Sequence, residues 1–240
     1  MKMVMAFAFV LSVPAVLGLI NAALVGVEPT APTQGILVPD LPLLPQSPLP
    51  DDVAIDAIRL AADRAASRKD LNGDDLATIS KSTRVMVSGW DGRPPRQPVA
   101  DWALTRILHT LEWAIQNGDA TTLKSLAGDM AAKADDCRAS PNGRFGEVLV
   151  TIRTVLPDGR EQKGLQVRYI ERFYFDLLKK VPTLASRWQE FATVSAIDGA
   201  PLTAGEWMIV ARSADGREIS EAKLISVGGK RPAKFDLSLK

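Results

Sequence analysis

Histidine and cysteine each occur once in the 240 residues, as His109 and Cys137. Cys137 therefore has no internal disulfide partner, and the fold must close without a covalent staple. A structural zinc site normally takes four Cys or His ligands. Zinc fingers, c-type haem attachment and CxxC redox chemistry are thereby excluded. An excess of one charge is equally absent: 29 basic side chains stand against 28 acidic ones, a net charge of +1. No Lys/Arg cluster with interleaved aromatics is present to neutralise a run of phosphates, so nucleic acid is not an expected partner. Catalytic constellations are missing too. A His109–Cys137 thiolate pair would need an oxyanion hole and a third group to hold the imidazole, and nothing in the sequence supplies them. Asp135 and Asp136 are adjacent on a predicted helix and point apart, which is the wrong disposition for paired-carboxylate glycan cleavage. No catalytic, cofactor or metal residue is assigned.

What is present begins at the N-terminus. After Met1-Lys2 no charged side chain occurs until Glu28, and MVMAFAFVLSVPAVLGLI forms an apolar core followed by Asn21-Ala22-Ala23. A basic start, an apolar stretch and small residues describe a secretory signal. The 23 residues from Met3 to Val25 also suffice for an uncleaved membrane anchor, with Pro14 tolerated. Either reading of residues 1–25 places the rest of the chain outside the cytoplasm, in the periplasm or secreted. Residues 26–50 then carry seven prolines between Pro29 and Pro50, which forbid a helix or a central strand and predict an extended linker or surface strap.

Residues 51–140 read as a small helical region. Asp51 and Asp52 follow Pro50, as suits a first helical turn, and Val53, Ile55, Ile58, Ala62 and Ala65 are apolar at helical spacing. Asp70, Asn72 and Asp74 match the opening of a calcium loop, but Asp75 and Lys81 stand where Gly and a bidentate Glu are required. An Asx turn leading into a short helix, Asp75 to Ser80, is the expectation instead, with Arg84–Val87 as a short strand. Trp102, Leu104, Ile107, Leu108, Leu111, Ala114 and Ile115 define the next helix, which ends at Asn117-Gly118. Asp119 is placed to cap its successor, whose apolar face is Leu123, Leu126, Ala127, Met130 and Ala134. His109 is read as a surface or helix-packing residue, and Cys137 as a free or intermolecularly paired thiol.

From residue 143 to 240 the period changes to two. Val148, Val150 and Ile152 alternate with Leu149, Thr151 and Arg153, Pro157-Asp158-Gly159 and Ser213-Ala214-Asp215-Gly216 make turns, and further short strands follow. VTIRTVLPDGREQKGLQVRYI (Val150–Ile170) and FATVSAIDGAPLTAGEWMIVARSADG (Phe191–Gly216) resemble the transthyretin-like fold of carboxypeptidase regulatory-type domains, with Phe191, Thr193, Leu202, Gly205 and Trp207 on that plan and Arg172–Glu190 as an insertion. The resemblance implies a β-sandwich and a non-catalytic accessory role in exported proteins.

The fold class expected from sequence is therefore α+β: a signal or anchor, a Pro-rich linker, a helical region and a C-terminal antiparallel β-sandwich. The expected function is an exported, non-enzymatic interaction module of the cell envelope or extracellular space, with an envelope or extracellular protein as partner. The alternatives are a carbohydrate- or small-ligand-binding module and a carboxylate-dependent glycan-cleaving enzyme. Trp90, Tyr169, Phe173 and Tyr174 are the candidate binding surface, because aromatics are enriched in interfaces, and Arg168, Arg172, Lys179 and Lys180 are its candidate basic rim.

Overall fold

Pro50 starts the first helix, α1 (Asp51–Ala65), by fixing φ where no amide donor is needed, and Asp51 and Asp52 complement the dipole. Its buried residues, Ala54, Ile55, Ile58, Ala62 and Ala65, form one face. These and all later details come from a computed structural model that describes residues 44–88, 102–140, 143–229 and 233–240. The end of the Pro-rich stretch, residues 44–50, leads into α1 and is tied to the helical core. There the Leu49 amide donates to the Thr105 hydroxyl at 2.9 Å and the Leu49 side chain packs on the helical core.

After α1 the chain turns at Asn72, whose side-chain oxygen accepts from the Asp74 amide at 3.1 Å while its Nδ2 donates to Asp75 at 2.8 Å. The loop is anchored by Arg68, which pairs with Asp70 and donates to the Ile115 carbonyl at 2.5 Å. The helix that follows, α2 (Gly73–Ser88), is longer than its sequence suggests and absorbs Arg84–Val87 as its last turn. Leu76, Ile79, Thr83 and Met86 all bury on one face at three- and four-residue steps. Tertiary packing of that stripe outweighs the β preference of the short valine-containing run.

Two more helices complete the α region: α3 (Trp102–Asn117), and α4 (Ala120–Ala139) capped by Asp119, which accepts from the Thr122 amide at 3.3 Å. Gly118, at φ 64°, makes the reversal between them. Helix α4 is buried on nearly every side, as befits a helix with neighbours all round. Leu123, Leu126 and Met130 join α1–α3 in the first core, while Asp129 and Lys133 reach toward the sheets.

The β region consists of β1 (Glu147–Val155), β2 (Gln166–Glu171), β3 (Gln189–Glu190), β4 (Ile197–Thr203), β5 (Gly205–Arg212), β6 (Lys223–Val227) and β7 (Ala233–Ser238). Between β2 and β3 lie a short helix, α5 (Arg172–Leu177), and a 3-10 turn, Pro182–Arg187. One sheet has three strands in the order β4-β1-β7, antiparallel on one side of β1 and parallel on the other. The second has four antiparallel strands in the order β3-β2-β5-β6.

This arrangement corrects the expected C-terminal β-sandwich and the transthyretin-like resemblance. The two sheets are small and open, one is mixed in direction, and they do not close into a sandwich or barrel. The physical reason lies in the Arg172–Glu190 stretch: Phe173, Tyr174, Leu177, Val181 and Leu184 bury in the helical core rather than decorating a sandwich. Along β2, Val167 faces the core shared by the two sheets, whereas Ile170 faces the helices. The four-stranded sheet is thus a middle layer, covered by α4 and α5 on one side, and the class is α+β with several helices and two open sheets.

Two core side chains give a pH prediction. Burial pushes the Cys137 thiol up to about 11 from its ordinary 9.0, and the Tyr174 phenol up to about 12 from 10.0. Both groups keep their protons in the folded chain at a pH where the unfolded chain has lost them. Stability is therefore full below the unfolded values and declines as pH rises from about 9 toward 12. Urea midpoints measured across that range are expected to fall, with Cys137→Ala removing the lower part of the decline.

Candidate binding face and the polar seam beneath it

Where α4 meets the sheets, a buried polar seam takes the place of an apolar contact. Lys133 Nζ lies 2.9 Å from Asp129 Oδ2 and donates to the Ala204 carbonyl at 2.7 Å. Asp129 Oδ1 accepts from the Glu206 amide at 2.9 Å. Asp136, also fully buried, accepts from the Gly146 and Gly229 amides at 3.0 and 3.3 Å. To one side Arg172 pairs with Glu206 at 2.7 Å and Ser125 donates to Asp176. Arg106 of α3 reaches Glu171 at 2.7 Å. Strand and helix approach closely enough that Gly128 leaves no room for a Cβ beside the Glu206 carboxylate.

The seam covers only part of the helix-facing side of the four-stranded sheet. Beyond it the same face carries Arg168 on β2, Arg212 on β5 and Leu224 on β6, the last 42% exposed, while Met208 of β5 packs on the helical core. Trp188 borders this surface. Arg168 lies over its indole at 5.2 Å, and Phe175 meets it edge-on at 6.1 Å. Glu190 is shared at longer range by Arg168 (3.6 Å) and Arg212 (3.7 Å). Two guanidinium groups thus share one exposed carboxylate, and Trp and Arg are residue types that interface cores favour.

The residues singled out from sequence are dispersed. Trp90 lies outside the described residues. Phe173 and Tyr174 are buried in the helical core, where Arg187 covers the Tyr174 ring at 5.8 Å. Tyr169 is half-buried on the opposite side of β2, against Phe191 at 4.5 Å and Trp207 at 5.6 Å. Much of the expected basic rim is paired internally, Arg172 with Glu206 and Lys180 with Asp119 at 2.5 Å. Cys137 is buried and its thiol is held protonated, so neither a thiolate nor an intermolecular disulfide fits it in the folded chain. Asp70 is paired with Arg68, and among the described residues no group of three or more His, Cys, Asp or Glu is placed to hold a metal ion.

Two features escaped the sequence reading. Trp188 and Arg168 were on view but belong to different elements, and only β2–β3 pairing, which sets Arg168 opposite Glu190, brings them together. The Asp129–Lys133 pair had a signal: Gly128, beside it in mid-helix, marks a close backbone approach. Comparison with family models, with curated proteins and with solved structures finds no match to this chain.

Proposed function

We propose that the chain is an exported, non-enzymatic interaction module of the cell envelope or extracellular space. It binds a protein partner through the face formed by Trp188, Arg168, Arg212 and Leu224. The observation that supports this reading is the composition of that face: a partly exposed tryptophan, two arginines that share one carboxylate and an exposed leucine beside them. Trp and Arg dominate the few residues that carry most binding energy. The outer face of the three-stranded sheet makes a contrast. Leu149 is exposed there, but its neighbours Thr151 and Arg153 are bonded to Asp198 and Asp236 at 2.8–2.9 Å, as on a solvated sheet face.

Export rests on the N-terminal residues alone and is tested separately. Residues 1–50 fused to a reporter enzyme that matures only outside the cytoplasm are expected to give activity, and Leu11→Arg is expected to abolish it. For the binding face, a photoreactive residue at position 224 should give a discrete protein adduct in envelope and extracellular material. Trp188→Ala and Arg168→Glu should each reduce its yield at half-saturation by about tenfold or more. The same adduct arising equally from position 147, on the other sheet, would rule this face out.

A further inference from the structure

A small cavity lies at the junction of α3, α4, α5 and both sheets. It is lined by Arg106, Lys133, Glu171, Phe173, Thr203 and Trp207, and its volume is about 10 Å³. Two buried polar atoms of these lining residues have no hydrogen-bond partner in the protein, Arg106 Nε and Glu171 Oε1. Glu171 is 5% exposed. Its Oε1 lies 2.7 Å from Arg106 Nη2, which supplies charge neutralisation, but the approach is off the hydrogen-bonding direction and leaves the oxygen's acceptor capacity unused. A buried donor and a buried acceptor left unmet are each destabilising, and both belong to residues that line this one cavity.

From this geometry we infer that the cavity is a binding site for a single resident water. The volume matches the room that one water requires, and a buried water needs two to four polar partners. Arg106 Nε donates to it and Glu171 Oε1 accepts from it. Lys133, with two of its three N–H groups committed to Asp129 and the Ala204 carbonyl, provides a third partner. Charge selects against an ion. Arg106 is balanced by Glu171 and Lys133 by Asp129, so the walls carry no net charge and favour a neutral guest. Size selects against any organic ligand. Trp207 does not compete for the water, because its indole N–H already donates to the Thr203 carbonyl at 2.9 Å. The water joins α3 to β2 and α4.

Oxygen-17 magnetic relaxation dispersion on the full chain tests this. The chain is expected to hold one more long-lived water than Ala103→Leu, whose side chain fills the cavity from α3. Equal numbers in the two proteins would overturn the inference. Should Ala103→Leu fail to fold, a crystal of the unaltered chain soaked in bromide decides. A single non-anomalous peak within about 3.2 Å of Arg106 Nε and Glu171 Oε1 supports a water. An empty cavity, or an anomalous bromide peak, refutes it.

Discussion

Asp129→Ala is expected to lower the unfolding free energy by about 3–5 kcal/mol, the usual cost of removing one partner from a buried ion pair. The substitution strands the Lys133 ammonium, 3% exposed, in a space that water does not reach freely. It also leaves the Glu206 amide without its acceptor. Asp129→Leu combined with Lys133→Met should cost much less than either single change, because no uncompensated charge then remains. Urea titration followed by tryptophan fluorescence measures both. A loss below about 1 kcal/mol for Asp129→Ala would mean that the seam behaves as a surface ion pair and admits solvent.

Gly205→Ala should be nearly as damaging, although it adds one methyl group. Gly205 has φ 155°, and a Cβ there would overlap Asp129 Oδ1 and sit 2.7 Å from Lys133 Nζ. Both side chains are nine-tenths buried or more and yielding would break the hydrogen bonds that hold them. A loss of about 3 kcal/mol is expected, combining overpacking with disruption of the pair. Gly73→Ala is the control, because a Cβ at that position meets nothing within 4 Å. The two seam variants should also be non-additive. In the Asp129→Ala background the added methyl meets less, and its cost should shrink by about 1 kcal/mol or more. Full additivity would show that Gly205 matters for backbone conformation alone.

These expectations bear on what the sequence could disclose. The helices were legible where apolar spacing and end signals agree, as in Trp102–Ile115 with Gly118 and Asp119. The turns at Asn72, at Gly159 and at Gly216 were legible from the chemistry of their residues. The polar side of α4 was not. Ser125, Asp129, Lys133 and Asp136 recur at helical spacing as a solvated face does, and only the tertiary fold turns that face inward onto β5 and the loops before β1 and after β6. Sheet assignment failed for a related reason. A period of two says that Glu147–Val155 is a strand, but it does not say that β1 crosses at Pro157–Gly159 to a different sheet from β2. Nor does it say that β1 lies parallel to β7. Partner choice is a long-range property, and local alternation is silent about it.

The candidate face was hidden by the same gap. Tyr169, Phe173, Tyr174 and Phe175 cluster in sequence, so they look like a patch. Yet the β2-to-α5 transition at Glu171–Arg172 ends the strand alternation and sends Phe173 and Tyr174 inward while Tyr169 stays with the sheets. Trp188 stands well apart from Arg168 in sequence, and only the tertiary fold sets the two together.

The position of Cys137 has a practical meaning. The chain carries one sulfhydryl, near the end of α4 inside the helical core, where a labelling reagent in solution cannot touch it while the helices remain assembled. Reaction with an aromatic disulfide reagent is therefore a stopwatch for opening events that reach this part of the interior. With opening and closing fast relative to chemistry, the labelling rate divided by that of the unfolded chain gives the population of open molecules. The native sequence thus contains its own single-site reporter of how often the core is breached, with no probe introduced.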